Sequence, residues 1–214
     1  MSGTITDLKV QRRNKERVNV YLDGEFAFAL PLAEAARLQR GQHLSDEEIA
    51  RLKAIDAYAR ARDAALRYLA VRPRSVAEVR RQLQRKGFDQ STIQQVIDRL
   101  LEWGYLNDEE FARSWVAERE RFRPRGRIAL RQELRNKGVS DEIIDRVLAD
   151  VDPEASARAA LAPRLRQWRH LEWRAFRQKA TAYLARRGFS YDIIDDVVRS
   201  AWQELTHSPA DDEL

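Results

Sequence analysis

The start of the chain alternates hydrophobic and polar positions, as β-strands do. Residues 18–22 carry a hydrophobic side chain at every second position, and residues 26–30 repeat that alternation. Asp23-Gly24 lies between them and favours a two-residue hairpin turn, because such a turn needs positive φ. A further segment holds Ile5 and Val10. The pattern predicts about three antiparallel strands, a sheet too small to be stable unless it packs on the helices that follow.

From Pro31 onward the hydrophobic spacing becomes helical. Pro31 suits the first position of a short helix that Gly41 ends. Ser45 with Glu48 forms a capping box and opens a long helix towards Leu69. The same spacing marks two more helix starts: Ser75 with Glu78, and Asn107 with Glu110, whose helix should run to Phe122.

One helix–turn–helix pattern occurs three times. The segment 83–87 aligns with 134–138 and 184–188, and its closing glycines lie at positions 87, 138 and 188. Each glycine suits a left-handed helix cap, and a helix-capping residue follows two positions later. Hydrophobic residues then recur at i, i+3 and i+4: Ile93, Val96, Ile97; Ile144, Val147, Leu148; Ile194, Val197, Val198. A period of about 50 residues indicates a tandem array.

The predicted fold is therefore mainly α, a tandem array of three three-helix repeats preceded by a small N-terminal antiparallel β-hairpin or three-stranded module. The predicted boundaries are 1–44 for the β module with its short helix, 45–106, 107–151 and 152–206 for the repeats, and 207–214 for a disordered acidic tail. Asp152 with Pro153 should start the third repeat. Pro163 is expected to kink or split its first helix.

Composition excludes several kinds of chemistry. There is no cysteine, so disulfides, thiolate nucleophiles and cysteine-ligated zinc are ruled out. The three histidines are far apart in sequence and the eight glycines form no phosphate-binding motif, so we expect no enzyme, metal or cofactor. No hydrophobic run approaches 18 residues and the first residues lack a signal-peptide core. A cytoplasmic protein without a membrane partner is the simplest expectation.

Positive charge is concentrated in the two later repeats. Residues 112–137 hold nine basic and three acidic side chains, and residues 164–187 hold eight and one, although the net charge is only +5. This surplus predicts contact with DNA phosphates or an acidic protein face. The alternative is a solvated helix face whose arginine stems cover hydrophobic surface. The candidate contact residues are Arg72, Arg74, Lys86, Arg119, Arg121, Arg123, Arg125, Arg127, Arg131, Lys137, Arg174, Arg177, Arg186 and Arg187.

The Arg-Pro-Arg sequence at 72–74 recurs at 123–125 and is absent from the third repeat. Either it only breaks a helix, or it presents two guanidinium groups to a phosphate or carboxylate. Four aromatic residues lie among the basic ones and could stack on bases: Phe122, Trp168, Trp173 and Phe176. The helical spacing of Trp168 with neighbouring leucines favours the core instead, and Trp103, Trp115 and Trp202 are also interpreted as packing residues.

Several motifs, in order, resemble the RecX family of bacterial RecA regulators. They are Arg72-Pro73-Arg74-Ser75 with Glu78-Val79, Leu83 to Phe88, Gly104 to Asp108 with Phe111-Ala112, and Arg187 to Tyr191. The segment Arg17 to Gly24 resembles the β-hairpin that opens longer members. The resemblance extends from about Thr4 to Leu205.

The resemblance implies a non-catalytic protein that binds RecA, lies in the groove of the RecA filament on single-stranded DNA, and restrains recombinase, ATPase and coprotease activities. Recombination and the SOS response would thereby be limited. Two alternatives stay open: a direct nucleic-acid-binding protein with helix-turn-helix-like repeats, and a solenoid-type protein adaptor. No heptad seam is present, so a monomer is expected.

Overall fold

The computed structural model describes residues 2–207, with side chains to Thr206. The predicted acidic tail lies outside the described residues, except for the backbone of His207. The described residues form two compact units, 2–74 with 78–106, and 75–77 with 107–207. Within residues 2–207, no helix is long and hydrophobic enough to cross a membrane.

The first unit begins with a four-stranded antiparallel sheet. Strands β1 (Gly3–Val10), β2 (Arg17–Leu22), β3 (Glu25–Pro31) and β4 (His43–Leu44) are ordered β3-β2-β1-β4. The hairpin turn forms as predicted, with φ of 50° at Asp23 and 92° at Gly24. Strand β4 was missed because two residues are too few to show alternation. One face of the sheet is buried against the helices, as its small size requires.

Helix α1 is shorter than predicted and spans only Leu32–Ala35. Pro31 is the last residue of β3 and the N-cap of α1, so its predicted place at the first helical position is wrong by one residue. The prediction that Gly41 ends this helix is also wrong. The chain leaves the helix earlier because its backbone bonds to β1: the Gly41 N–H donates to the Ile5 carbonyl and the Ile5 N–H to the Gln42 carbonyl, both at 2.8 Å.

Nine helices follow within the described residues, three to each repeat. The first repeat contains α2 (Asp46–Leu69), α3 (Val76–Arg85) and α4 (Gln90–Glu102). The second contains α5 (Asp108–Phe122), α6 (Arg127–Asn136) and α7 (Asp141–Ala149). The third contains α8 (Pro153–Trp168), α9 (Trp173–Arg186) and α10 (Tyr191–His207). The predicted fold class, a helical array of three three-helix repeats behind a small antiparallel sheet, is confirmed.

The repeated glycines and hydrophobic residues have the roles that their pattern predicts. Gly87, Gly138 and Gly188 join the second helix of each repeat to the third, with φ between 80° and 82°. The i, i+3, i+4 positions of α4, α7 and α10 are all buried. Each stripe packs into the hydrophobic core of its own repeat. The cores of the second and third repeats are two separate clusters.

Several predicted helix starts are visible as side-chain caps. The Ser45 hydroxyl accepts from the Glu48 N–H at 3.2 Å, and Glu48 accepts from the Ser45 N–H at 2.8 Å, which completes the capping box. Asn107 accepts from the first backbone N–H groups of α5. Asp152 caps α8, which has Pro153 in its first turn. Each cap satisfies donors that a helix start leaves without a partner.

Helix α8 runs through Pro163 without a break, so the predicted splitting of this helix does not occur. Proline removes one helical donor, and the acceptor left behind is the Ala159 carbonyl. Both residues are exposed, so water can satisfy that carbonyl.

Candidate basic interface

Most of the predicted contact residues in the second repeat have partners inside the second unit. Glu133 of α6 accepts from the indole Nε1 of Trp115 at 2.8 Å and from Arg119 Nε at 2.8 Å. The other carboxylate oxygen of Glu133 lies 3.0 Å from the Nε of Arg125. The Glu133 side chain is only 20% exposed. Arg119 and Arg125 therefore share one carboxylate, which offsets one of their two positive charges; Arg119 also lies 3.8 Å from Glu118.

The Trp115 ring collects further cations. The Arg119 guanidinium lies 4.3 Å from the ring centroid, and the Lys137 ammonium lies 4.7 Å from it. Cations over an indole face are attracted by its quadrupole. Trp115 packs on the core of the second repeat, as predicted, and also positions these basic side chains.

Arg127 and Arg131 are held by α7. Arg127 donates to the Val151 carbonyl at 2.5 Å and to the Ala149 carbonyl at 3.4 Å, just beyond the end of that helix. A cation there also opposes the negative end of the helix dipole. Arg131 donates to Asp145.

A second carboxylate network joins α5 to α7. The Glu109 carboxylate accepts from Arg113 at 3.0 Å and from Arg146 at 3.1 Å. These two bonds hold the pKa of Glu109 below its ordinary value, with Arg113 the larger cause. Arg113 also donates to Asp150 at 2.8 Å, and the two carboxylates raise the pKa of its guanidinium.

The Arg-Pro-Arg segment at 123–125 lies where the second repeat meets the third. The Gly126 N–H donates to the Arg187 carbonyl at 3.0 Å, and the Ile128 N–H to the Gly188 carbonyl at 3.3 Å. Arg187 in turn donates its guanidinium to the Pro124 carbonyl at 3.0 Å, with the Tyr183 ring 4.7 Å away. The start of α6 is thus docked on the glycine turn of the third repeat.

An equivalent contact occurs at Ser75–Ala77, which belong to the second unit. The Ser75 hydroxyl donates to the Lys137 carbonyl at 2.6 Å, and Ala77 lies against Gly138. None of the glycines in the described chain lies against the start of α9. The Arg-Pro-Arg segments therefore precede the two helix starts that dock on a glycine turn, and the third repeat, which lacks the segment, has no such contact.

The first Arg-Pro-Arg segment also binds within its own unit. Arg72 donates to the Glu78 carboxylate at 3.0 Å and to the Pro73 carbonyl at 2.8 Å. The Arg74 guanidinium lies 4.0 Å from the Tyr68 ring centroid, and its Nε is buried without a hydrogen-bond partner. Both arginines support the loop conformation.

A smaller set of predicted contact residues is exposed and has no carboxylate partner among the described residues. Its members are Lys86, Arg121, Arg123, Arg174 and Arg186. Arg177 is also exposed but lies 3.3 Å from Asp195. Four further exposed cations of the third repeat also have no carboxylate partner among the described residues: Arg164, Arg166, Arg169 and Lys179. They belong to the basic stretch but are not among the predicted contact residues.

The aromatic residues divide into a group that packs in or against the core and a group that is exposed. Trp168, Trp173, Phe176 and Trp202 pack together in the core of the third repeat, so the packing interpretation of Trp168 is confirmed. Phe122 is 68% exposed beside Arg121. Trp103 is 47% exposed, so its interpretation as a packing residue is wrong. It is the C-cap of α4 and lies beyond the buried stripe of that helix.

No site for metal chemistry is visible in the described part of the chain. Between residues 2 and 206, no three histidine or acidic side chains are grouped so that they could hold a metal ion. The described surface does offer exposed cations, exposed aromatic rings and clefts, which suit binding.

Comparison with known proteins identifies the family. Four family models match in order: the RecX N-terminal domain at residues 3–45, and the first, second and third RecX three-helix domains at 61–100, 107–148 and 151–198. A regulatory protein RecX from Clostridium botulinum is 33% identical over 92% of this chain and 95% of its own length. One from Bacillus subtilis is 33% identical over 89% of this chain and 74% of its own.

Solved structures agree with this assignment. A crystal structure of regulatory protein RecX superposes with a TM-score of 0.72 at 26% identity, covering 91% of this chain and 98% of the other. A crystal structure of RecX from Lactobacillus salivarius gives a TM-score of 0.63 at 25% identity, covering 68% and 97%. Sequence and fold thus lead to one conclusion: the chain belongs to the RecX family of regulatory proteins.

Proposed function

We propose that this protein binds RecA and the RecA filament on single-stranded DNA, and that it inhibits recombinase, ATPase and coprotease activity without catalysing a reaction itself. It would limit recombination and the SOS response in the cytoplasm as a monomer. The observation that carries the proposal is membership of the RecX regulatory family. The helical array and its unpaired cations support it.

The third repeat is the best candidate for the contact with the filament. Arg166, Arg169, Arg174, Lys179 and Arg186 are exposed and have no carboxylate partner in the described chain. Such cations gain most from an approaching phosphate or acidic side chain, because no internal ion pair must first be broken. In the second repeat, by contrast, Arg119 and Arg125 contact Glu133, Arg131 contacts Asp145, and Arg127 contacts the end of α7.

The contact can be tested by sedimenting the protein with RecA filaments assembled on single-stranded DNA. The double variant Arg174→Gln/Arg186→Gln should sediment less at a given protein concentration, with a weaker dependence on salt. A matched control is Arg158→Gln/Arg199→Gln, which removes the same charge from exposed arginines of the same repeat that are already paired with Glu154 and Asp195. Equal sedimentation of wild type and both variants would remove this surface from the interface.

A further inference from the structure

The first unit contains an open cleft that the proposed contact of the third repeat does not use. Its volume is about 710 Å³, within the ~300–1,000 Å³ range of ligand sites. Helix α2 forms one wall, strand β3 a second, and the turn between α3 and α4 a third. Five cations line it: Arg17, Lys53, Arg60, Arg67 and Lys86.

Three of these cations form a line along α2. Lys53, Arg60 and Arg67 are spaced seven residues apart, so their α-carbons follow one another at about 10.5 Å along the same face of the helix. Ala57 and Ala64 lie between them and also line the cleft. Because alanine side chains are short, the cations project beside open space.

The carboxylates of the cleft are already engaged. Asp56 binds Arg17 at 2.6 Å, and both side chains are largely buried. Asp63 binds Arg62 at 3.1 Å, outside the cleft lining. Lys53, Arg67 and Lys86 have no carboxylate partner in the described chain, so the cleft keeps a surplus of positive charge.

Phenylalanine rings lie among the cations. Phe26 is 58% exposed, so a face of its ring is open to contact from outside the chain. Lys53 Nζ lies 5.9 Å from the Phe28 ring centroid, and the Arg60 guanidinium lies 5.8 Å from that of Phe88. The cleft thus offers the exposed ring of Phe26 and the half-buried ring of Phe88 in the same lining as the unpaired cations Lys53, Arg67 and Lys86.

We infer that this cleft binds a short stretch of single-stranded nucleic acid, with phosphates along the α2 cations and bases against the exposed ring of Phe26 and the half-buried ring of Phe88. Stacked bases and a cationic track are the means by which proteins hold single strands without reading sequence. A duplex buries its base faces, and an acidic peptide would leave the rings uncovered. The inference rests on the proposed function only in one respect, the choice of single-stranded DNA as the ligand. Binding in the cleft does not require RecA.

The test is the fluorescence anisotropy of a labelled oligothymidylate titrated with the full chain, without RecA, at several salt concentrations. Lys53→Gln/Arg67→Gln should weaken binding about tenfold or more and lower the slope of log affinity against log salt by about 1.4, since each lost phosphate contact contributes about 0.7. Phe26→Leu should weaken binding about fivefold or more while leaving the salt slope unchanged, because a stacking contact releases no counterion.

A control of equal charge is Arg51→Gln/Arg85→Gln, which changes exposed arginines of α2 and α3 outside the cleft. It should bind as the wild type does, and circular dichroism should show all variants folded. The inference is overturned if the wild type does not bind oligothymidylate, if the cleft variants bind it normally, or if the control loses as much affinity as they do.

The same variants separate this inference from the proposed function. A cleft variant that has lost oligothymidylate binding but still inhibits RecA would support the cleft assignment and place it outside the inhibitory contact. If the wild type binds oligothymidylate in the cleft but has no effect on RecA, the inference about the cleft is supported and the proposed function is contradicted.

Discussion

Docking of one repeat on the glycine turn of the next can be tested by adding single methyl groups. Gly87 and Gly188 both have φ of +80°, so alanine at either position meets the same backbone strain of about 1–2 kcal/mol. Their surroundings differ. A Cβ at residue 87 would have no atom within 4 Å, whereas at residue 188 it would lie 2.5 Å from both the Cβ and the backbone nitrogen of Ala129.

The difference in free energy of unfolding between the two variants should therefore report the junction. Overpacking of this kind costs about 1–3 kcal/mol, because α6 must move away from the turn. We expect Gly87→Ala to lower the free energy of unfolding by about 1–2 kcal/mol, from backbone strain alone. Gly188→Ala should lower it by about 2–5 kcal/mol, because overpacking adds to the same strain. Gly126→Ala isolates the steric part: its φ is not positive, but a Cβ there would lie 2.0 Å from the Gly188 carbonyl oxygen.

Urea denaturation followed by circular dichroism and tryptophan fluorescence measures these changes. Four tryptophans (Trp115, Trp168, Trp173 and Trp202) lie in the second unit and one, Trp103, in the first, so fluorescence is dominated by the unit in which the junction lies. Equal losses at residues 87 and 188, together with a neutral Gly126→Ala, would refute the docking of α6 on this turn.

Two further predictions concern stability. Glu133→Gln should lower the free energy of unfolding by about 1–3 kcal/mol, because Arg119 and Arg125 lose their shared carboxylate. The fluorescence of Trp115 should also shift, because the group that accepts from its indole changes. An unchanged urea midpoint would contradict this prediction. The pKa of Asp89 is held well below its ordinary 3.8, chiefly by the Thr92 hydroxyl and then by its N–H. A depressed carboxyl pKa stabilises the fold above that ordinary value and loses this effect as pH falls towards the folded pKa. Asp89→Asn should therefore make the melting temperature fall less steeply below pH 4 than it does in the wild type. If both proteins lose melting temperature equally over this range, protonation of Asp89 does not cause the fall.

The repeat could be read from the sequence because its signals are local. A glycine that caps one helix, a capping residue two positions later and a hydrophobic stripe each depend on neighbours within a few residues. Asp89, Asn107 and Asp152 accordingly cap the helices that follow them with their side chains, whereas Ser140 is the N-cap residue of α7 but makes no side-chain cap bond. Strand β4 and the early end of α1 depend instead on hydrogen bonds to β1, which is far away in sequence.

The basic residues show the limit of the same approach. Charge counting finds where arginines are dense but not which of them are neutralised, because partners such as Glu133 for Arg125 are brought together by folding. It also gives no sign that the Arg-Pro-Arg segment at 123–125 precedes a docked helix start. The sequence analysis did not single out Lys53, Arg60 and Arg67 of α2, because only the position of β3 beside them makes a cleft.

The central claim is that this protein restrains the RecA filament, and the direct measurement is single-stranded-DNA-dependent ATP hydrolysis by the cognate RecA during titration with this chain. The account predicts a saturating fall in hydrolysis at protein concentrations below that of RecA, accompanied by shorter filaments. Unchanged hydrolysis and filament length in large excess over RecA would contradict it.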